Sequence, residues 1–251
     1  MLNTIVTGTA GPNPPLLIAH GLFGSGRNWG IIAKRLSEQG HQVIAVDMRN
    51  HAGSPWADSH SYPDLAADLA EVLEGLDGPA DVLGHSMGGK AAMMLALSRP
   101  ELIRKLIVAD IAPVNYGHTQ AHNIAAMRRV DLAGIANRSE AAAQLGLEDA
   151  TTAAFLLQSL DMQARAWKLN LDVLEQDMPL ILSFPDVDSQ FDGPTLFLSG
   201  GQSDYVTDSH RDRIKALFPA ARFARIPGAG HWLHAEKPRE FEAAVAAFLA
   251  A

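Results

Sequence analysis

The chain alternates short, wholly apolar runs with longer stretches in which apolar residues recur every three or four positions. Leu16-Leu17-Ile18-Ala19, Val43-Ile44-Ala45-Val46, Val82-Leu83, Leu106-Ile107-Val108-Ala109, Thr195-Leu196-Phe197-Leu198-Ser199 and Arg222 to Ile226 read as strands. A run with no polar member is what a strand needs when helices cover both of its faces. Between these runs, Asn28 to Gln39 reads as a helix ended by Gly40, and Ser61 N-caps another with Leu65, Leu69, Val72 and Leu76 at helical spacing. Further helices are predicted from Ser86 to Arg99-Pro100, from Ser209 to Leu217 and from Pro238 to the C-terminus. Strand and helix in strict alternation predict crossover connections and a mainly parallel sheet. Ligands of such sheets bind beyond the carboxyl ends of the strands.

The alternation stops after Pro113. Residues 115–191 are helical in character, with helices over Thr119 to Val130, Glu140 to Leu145, Thr151 to Leu160 and Leu171 to Gln176, and no strand. The chain therefore divides into an α/β core, residues 1–114 and 192–251, and an inserted helical cap, residues 115–191. Because the insertion leaves and rejoins the sheet at carboxyl ends of strands, the cap is expected to lie over the ligand site.

That site is marked by Gly84-His85-Ser86-Met87-Gly88, between a strand and a helix. The pattern is that of a nucleophile elbow, in which only glycine fits two residues before and two after an exposed serine. Ser86 then stands at a helix N-terminus, where unpaired N–H groups favour developing negative charge. Its general base is read as His231, in the glycine-flanked loop Gly228-Ala229-Gly230-His231-Trp232 after the last strand. His234, three residues on, is expected to pack against the final helix or face solvent, and His20 and His85 to hold loops. His118 and His122 have a spacing that can bind metal, but with no third ligand they read as a solvated helix face, and no metal site is predicted.

Two carboxylates compete for the third position, Asp110 at the end of the strand beside the nucleophile strand, and Asp204 after the next one. Both satisfy the order serine, acid, histidine. The usual acid, two residues and valine would put Ser203, not Asp204, at the acid's position ahead of Val206. Asp110 is therefore preferred as the acid, with Ser203 as a neutral hydrogen-bond partner of His231. For the tetrahedral oxyanion of acyl transfer, the N–H groups of Met87 and of Leu22, in the His20 to Gly24 loop, are the expected donors. Phe23 and Trp232 are candidates to contact substrate, and Trp167, Met87, Met93 and Met94 line a pocket or fill core. Arg49 and Asn50 are expected to brace loops.

Composition narrows the class. The chain has 251 residues, 47% of them hydrophobic, enough for one sizeable core. A formal charge of −8 argues against a nucleic-acid partner, since nothing basic is free to neutralise phosphate. With no cysteine there are no disulfides, thiol nucleophiles or zinc–thiolate sites, which fits a cytoplasmic protein. The first residues lack the basic start and apolar core of a signal peptide, and no membrane span is expected.

The segments HGLFGSGRNW, DMRNHAGSP, GHSMGGK, DIAP and GAGHWLHAEKP resemble the α/β-hydrolase family and, within it, the small YbfF-type bacterial esterases. The likeness spans nearly the whole chain and is weakest in the cap, which in this family determines substrate choice. It implies an esterase or thioesterase, a monomer or small homo-oligomer, that hydrolyses small-molecule acyl esters through an acyl-serine, without metal or cofactor. It also implies an acid at Asp110 and a serine at Ser203. The same residues are compatible with perhydrolase or carbon–carbon hydrolase chemistry, and with a non-catalytic receptor for a small ligand.

Overall fold

Each apolar run named above becomes a strand of one seven-stranded sheet in the computed structural model, which describes all 251 residues. In chain order the core begins with β1 (Thr4–Thr7), β2 (Leu16–Ala19), α1 (Gly30–Ser37), β3 (Val43–Val46) and α2 (Tyr62–Glu74). It continues through β4 (Ala80–His85), α3 (Met87–Ser98) and β5 (Ile103–Ala109). The intervening segment carries α4 (Ala121–Arg129), α5 (Arg138–Leu145), α6 (Ala150–Leu157), β6 (Leu160–Asp161), β7 (Ala166–Trp167), α7 (Leu171–Gln176) and α8 (Met178–Leu182). The core resumes with β8 (Thr195–Gly200), α9 (Arg211–Leu217), β9 (Ala221–Ile226), α10 (Leu233–Glu236) and α11 (Pro238–Ala250).

The sheet order is β1-β3-β2-β4-β5-β8-β9, with only β1 antiparallel. Strands β2, β3, β4 and β8 are buried at every position, as runs without polar members require. On one face lie α1 and α11, whose Ile32, Leu36, Phe241 and Val245 pack, together with Trp29 just ahead of α1, with Leu16, Ile18 and Leu83. On the other, α2 and α3 cover Leu17, Val82 and Leu106, in a core that runs on without a break into α4–α8. Ser61 caps α2 as expected, accepting the N–H of Asp64.

Three features depart from the sequence reading. β1 was not anticipated because it is a half-exposed edge strand, Thr-Ile-Val-Thr, without a buried run to mark it. β5 starts at Ile103 rather than Leu106, since Lys105 bonds the carbonyls of Phe248 and Leu249 at the end of α11 and Arg104 pairs with Asp81. Within the insertion, β6 and β7 pair antiparallel over two residues each, too short for any periodic signal.

The insertion's two ends meet. Tyr116 N–H bonds Leu182 O at 3.0 Å, and the Asn115 side chain accepts Phe184 N–H at 2.8 Å. Beyond this neck, its far side rests on the core loop after β3, where Ala52 N–H reaches Lys168 O and Asn170 N–H reaches Asn50 O.

Candidate active site

Strand β4 ends at His85, and the chain turns so sharply that Ser86 takes φ 52° and ψ −120° before α3 begins. A Cβ on Gly84 would sit 2.2 Å from Gly88 O, and one on Gly88 2.3 Å from Ala19 O. Only glycine fits at either place. The turn lifts Ser86 clear of the sheet at the start of α3, whose first N–H groups have no partner within the helix.

Three side chains from distant parts of the sequence converge there. His231 Nε2 lies 3.0 Å from Ser86 Oγ, and His231 Nδ1 lies 2.8 Å from Asp110 Oδ2. Asp110 is fully buried just past β5, with a left-handed φ of 51°. Its Oδ1 accepts Gly200 N–H at 3.0 Å. Because the carboxylate only accepts, Nδ1 carries the imidazole proton and Nε2 turns its lone pair to the serine hydroxyl.

Ser203 corrects the sequence reading. Its hydroxyl donates to Asp110 Oδ2 at 2.5 Å and makes no bond to His231. The imidazole has one proton at Nδ1, and a charged carboxylate takes it in preference to a neutral hydroxyl; the same oxygen takes the Ser203 proton as well. Asp204 is exposed and stands outside this network.

Histidines surround the site in fixed, neutral forms. His85 Nε2 donates to His231 O at 2.9 Å and so holds the histidine loop. His234 stacks on Trp29, ring centroids 4.2 Å apart, with Phe241 of α11 beside it at 6.1 Å, and does not reach Ser86. His20 Nδ1 donates to Gly21 O at 2.7 Å while its Nε2 accepts Met48 N–H at 2.9 Å. Burial pulls His20 down from 6.5 to about 4 and His60 and His234 to about 3, and pulls His51 and His85 well below the ordinary range. His118 bonds the Tyr205 hydroxyl at 2.8 Å and His122 is exposed on α4; no set of three metal-ligating side chains gathers anywhere.

The loop from His20 to Gly24 passes directly beside Ser86, since a Cβ on Gly21 would stand 3.2 Å from Ser86 Cβ. The N–H groups of Leu22 and Met87 have no acceptor in the protein. A cleft opens over Ser86, lined by Phe23, Met87, Phe155, Leu182 and Trp232 among others. Phe23 is almost fully buried, and Trp232 packs against Phe155 of α6 at 5.7 Å. Trp167 lies instead in the core of the insertion, its Nε1 bonded to Met127 O, while Met93 is buried under α3 and Met94 lies away from the cleft.

A model of the alpha/beta hydrolase fold matches residues 14–238. The chain belongs to the α/β-hydrolase family. It is 42% identical over 251 aligned residues to the sn-1-specific diacylglycerol lipase ABHD11 of Mus musculus, covering 94% of this chain and 81% of that one. It is 41% identical over 232 residues to the esterase YbfF of Escherichia coli K12, covering 90% and 89%. Among solved structures, a marine microorganism esterase superposes with a TM-score of 0.93 at 38% identity, over 98% of both chains. This member of the family is a serine ester hydrolase.

Two features of the hydrolase site carry no sequence motif. Tyr205 stacks on His231, ring centroids 4.0 Å apart and planes 20° from parallel. Lys90, on α3, is buried without a carboxylate partner: Nζ donates to Leu182 O at 2.8 Å and Ser183 O at 2.6 Å, with the rings of Tyr116 and Tyr62 at 4.8 and 5.6 Å. Burial pulls its ammonium from 10.5 down to about 7. A polar residue at an i+4 position from Ser86 was the one available signal, and the apolar run around it concealed it. Arg49 and Asn50 brace loops as expected, Arg49 gripping Asp68 through both Nε and Nη2, and Asn50 bonding Ala57 N–H and Ser59 O.

Proposed function

We propose that Ser86 is the nucleophile, His231 the general base and acid, Asp110 the carboxylate that orients it, and the N–H groups of Leu22 and Met87 the oxyanion hole. The observation that carries this reading is the unbroken chain of bonds from Ser86 Oγ through His231 to Asp110, beside two N–H groups with no acceptor. In the first half-reaction His231 Nε2 takes the Ser86 proton as Oγ attacks the acyl carbonyl. The oxyanion forms against Leu22 and Met87, and His231 then gives the proton to the departing alkoxide or thiolate. In the second half, water loses its proton to Nε2, attacks the acyl-serine and releases the acid, returning the proton to Ser86.

The substrates we infer are small acyl esters, and thioesters as a second leaving-group class. The acyl chain lies along Phe23, Phe155, Leu182 and Trp232, under the cap formed by residues 115–191, and Ser203 steadies the carboxylate rather than the imidazole. The diacylglycerol lipase named among the relatives supports a chain of more than a few carbons. No helix is long and apolar enough to cross a membrane, and a chain without cysteine suits the reducing cytoplasm.

The test is burst kinetics with p-nitrophenyl esters of graded acyl length, wild type beside Ser86→Ala. A burst equal to the enzyme concentration, absent from the variant, supports an acyl-Ser86 and gives the length preference. Turnover that survives in Ser86→Ala overturns it.

A further inference from the structure

Residues Gly21 to Gly24 form a tight turn closed by Gly24 N–H to Gly21 O at 3.0 Å. Its third residue, Phe23, has φ 65°. A positive φ at that place is normally left to glycine or asparagine, and for a side chain with a Cβ the left-handed region costs about 1–2 kcal/mol. Something has to hold Phe23 there, and two side chains do. His51 Nε2 accepts Phe23 N–H at 3.1 Å, and Ser159 Oγ donates to Phe23 O at 2.9 Å.

The direction of the first bond follows from geometry. His51 Nδ1 lies 2.8 Å from Arg49 O, and a carbonyl can only accept, so the proton is on Nδ1 and Nε2 offers a lone pair. His51 is fully buried and its own backbone bridges to Leu169 of the insertion, so the acceptor has a fixed position. The bond falls on the central peptide of the turn, the one whose flip separates the two common turn types. The residue before that peptide is Leu22.

We propose that His51 is a positioning residue for the oxyanion hole: by holding Phe23 N–H it keeps the Gly21 to Gly24 turn in the left-handed form that aims Leu22 N–H at the acyl oxygen. The inference rests on the proposed role of Leu22 N–H. His51 touches neither substrate nor Ser86. Without the acceptor, Phe23 relaxes toward the right-handed region and the turn shifts, whereas an oxyanion donor has to be held within about half an ångström of its productive position. Full removal of such a donor costs about 10²–10³ in rate.

Three forms of the whole protein test this, each assayed for kcat and KM on a p-nitrophenyl ester and for inhibition by an alkyl trifluoromethyl ketone, whose serine adduct carries the oxyanion. His51→Leu removes the acceptor, and His51→Gln presents an amide oxygen where Nε2 stood. The third replaces Phe23 by phenyllactic acid, turning that one amide into an ester and deleting the N–H alone. The expected result is a fall of about 10- to 100-fold in kcat and a matching rise in the ketone Ki for His51→Leu and for the ester form. His51→Gln should stay within about threefold of wild type on both measures. A purely structural role would lower the fraction of active enzyme and leave Ki unchanged. If His51→Leu does not fold, the ester form decides. A wild-type Ki in the folded Leu or ester form, or a Gln variant as poor as Leu, overturns the proposal. Ser86→Ala run alongside separates the two levels: activity that survives it removes the site assignment itself, whereas an inactive Ser86→Ala with unaffected His51 variants removes only the role of His51.

Discussion

Tyr205 lies face to face with His231, its ring 4.0 Å from the imidazole, and its hydroxyl bonds His118, near the start of the insertion, at 2.8 Å. The ring face is electron-rich and favours a cation stacked upon it. In the proposed mechanism the imidazole takes up the Ser86 proton as the tetrahedral intermediate forms, so the stack favours the intermediate over the resting state. Tyr205→Leu should lower kcat by about tenfold, a cation–π contact of roughly 1–2 kcal/mol, while Tyr205→Phe, which keeps the stack, should stay within a few-fold. Equal losses in the two variants would assign the effect to the hydroxyl instead.

The two competing aspartates differ by environment. Asp110 accepts from Gly200, His231 and Ser203, and Asp204 is exposed. Asp110→Asn should reduce kcat by about 10³–10⁴, because an amide holds the wrong tautomer of the imidazole. Asp204→Asn should be nearly silent. Ser203→Ala should cost about tenfold, since it removes one charge-assisted bond from the carboxylate and leaves two. The reverse order of the two aspartates in a steady-state assay would refute the assignment.

Acid should destabilise the fold before its carboxylates titrate. His20 is held at about 4 and His60 and His234 at about 3, against 6.5 for a free imidazole, because burial disfavours the charged ring. Between pH 6.5 and about 4 the unfolded chain therefore binds protons that the folded chain refuses, and stability rises with pH across that window. Each such histidine contributes a slope of about 1.4 kcal/mol per pH unit. Urea midpoints from pH 7.5 to 4.5 should fall steeply below about 6.5; a flat profile would mean that these rings are accessible to protons.

Lys90 connects α3 to the returning end of the insertion through Leu182 O and Ser183 O. With its folded value lowered to about 7 from 10.5, the unfolded chain holds the extra proton between those limits, so this group makes stability rise with pH from 7 upward. Lys90→Met leaves two carbonyls without a donor, a loss of roughly 1–3 kcal/mol that opposes the gain from removing a buried ammonium at pH 7. The substitution should flatten the stability profile between pH 7 and 10. An unchanged slope there would show that the ammonium does not carry it.

The parallel sheet and the elbow were legible because each rests on a local constraint that leaves a local mark. A strand buried on both faces must be apolar throughout, and the passage past Ser86 admits only Gly84 and Gly88. Asp110 could be weighed against Asp204 by its place at a strand end. What could not be read were relationships across the chain. Ser203 was assigned to the right cluster but the wrong partner, because the competition between His231 and Asp110 for its hydroxyl is settled by their positions in space. His51, Lys90 and Tyr205 contact residues 28, 92 and 26 positions away, Phe23, Leu182 and His231 respectively, and no periodicity records such pairs. β1 escaped because an edge strand need bury only part of one face.

The neck that joins Asn115 and Tyr116 to Leu182 and Phe184 brings the two ends of the insertion together beside α3. To the sheet, everything from residue 117 to residue 181 is equivalent to a short loop between β5 and β8, and its length sets no strand register. Selection for new acyl groups can therefore rewrite this segment while the reacting atoms keep their spacing. A chimera that exchanges the segment between two members of the family should inherit the donor's chain-length preference and the recipient's burst, provided that the contacts of Lys90, the 50–52 loop, Phe23 with Ser159 and Tyr62 with Ile181 are matched.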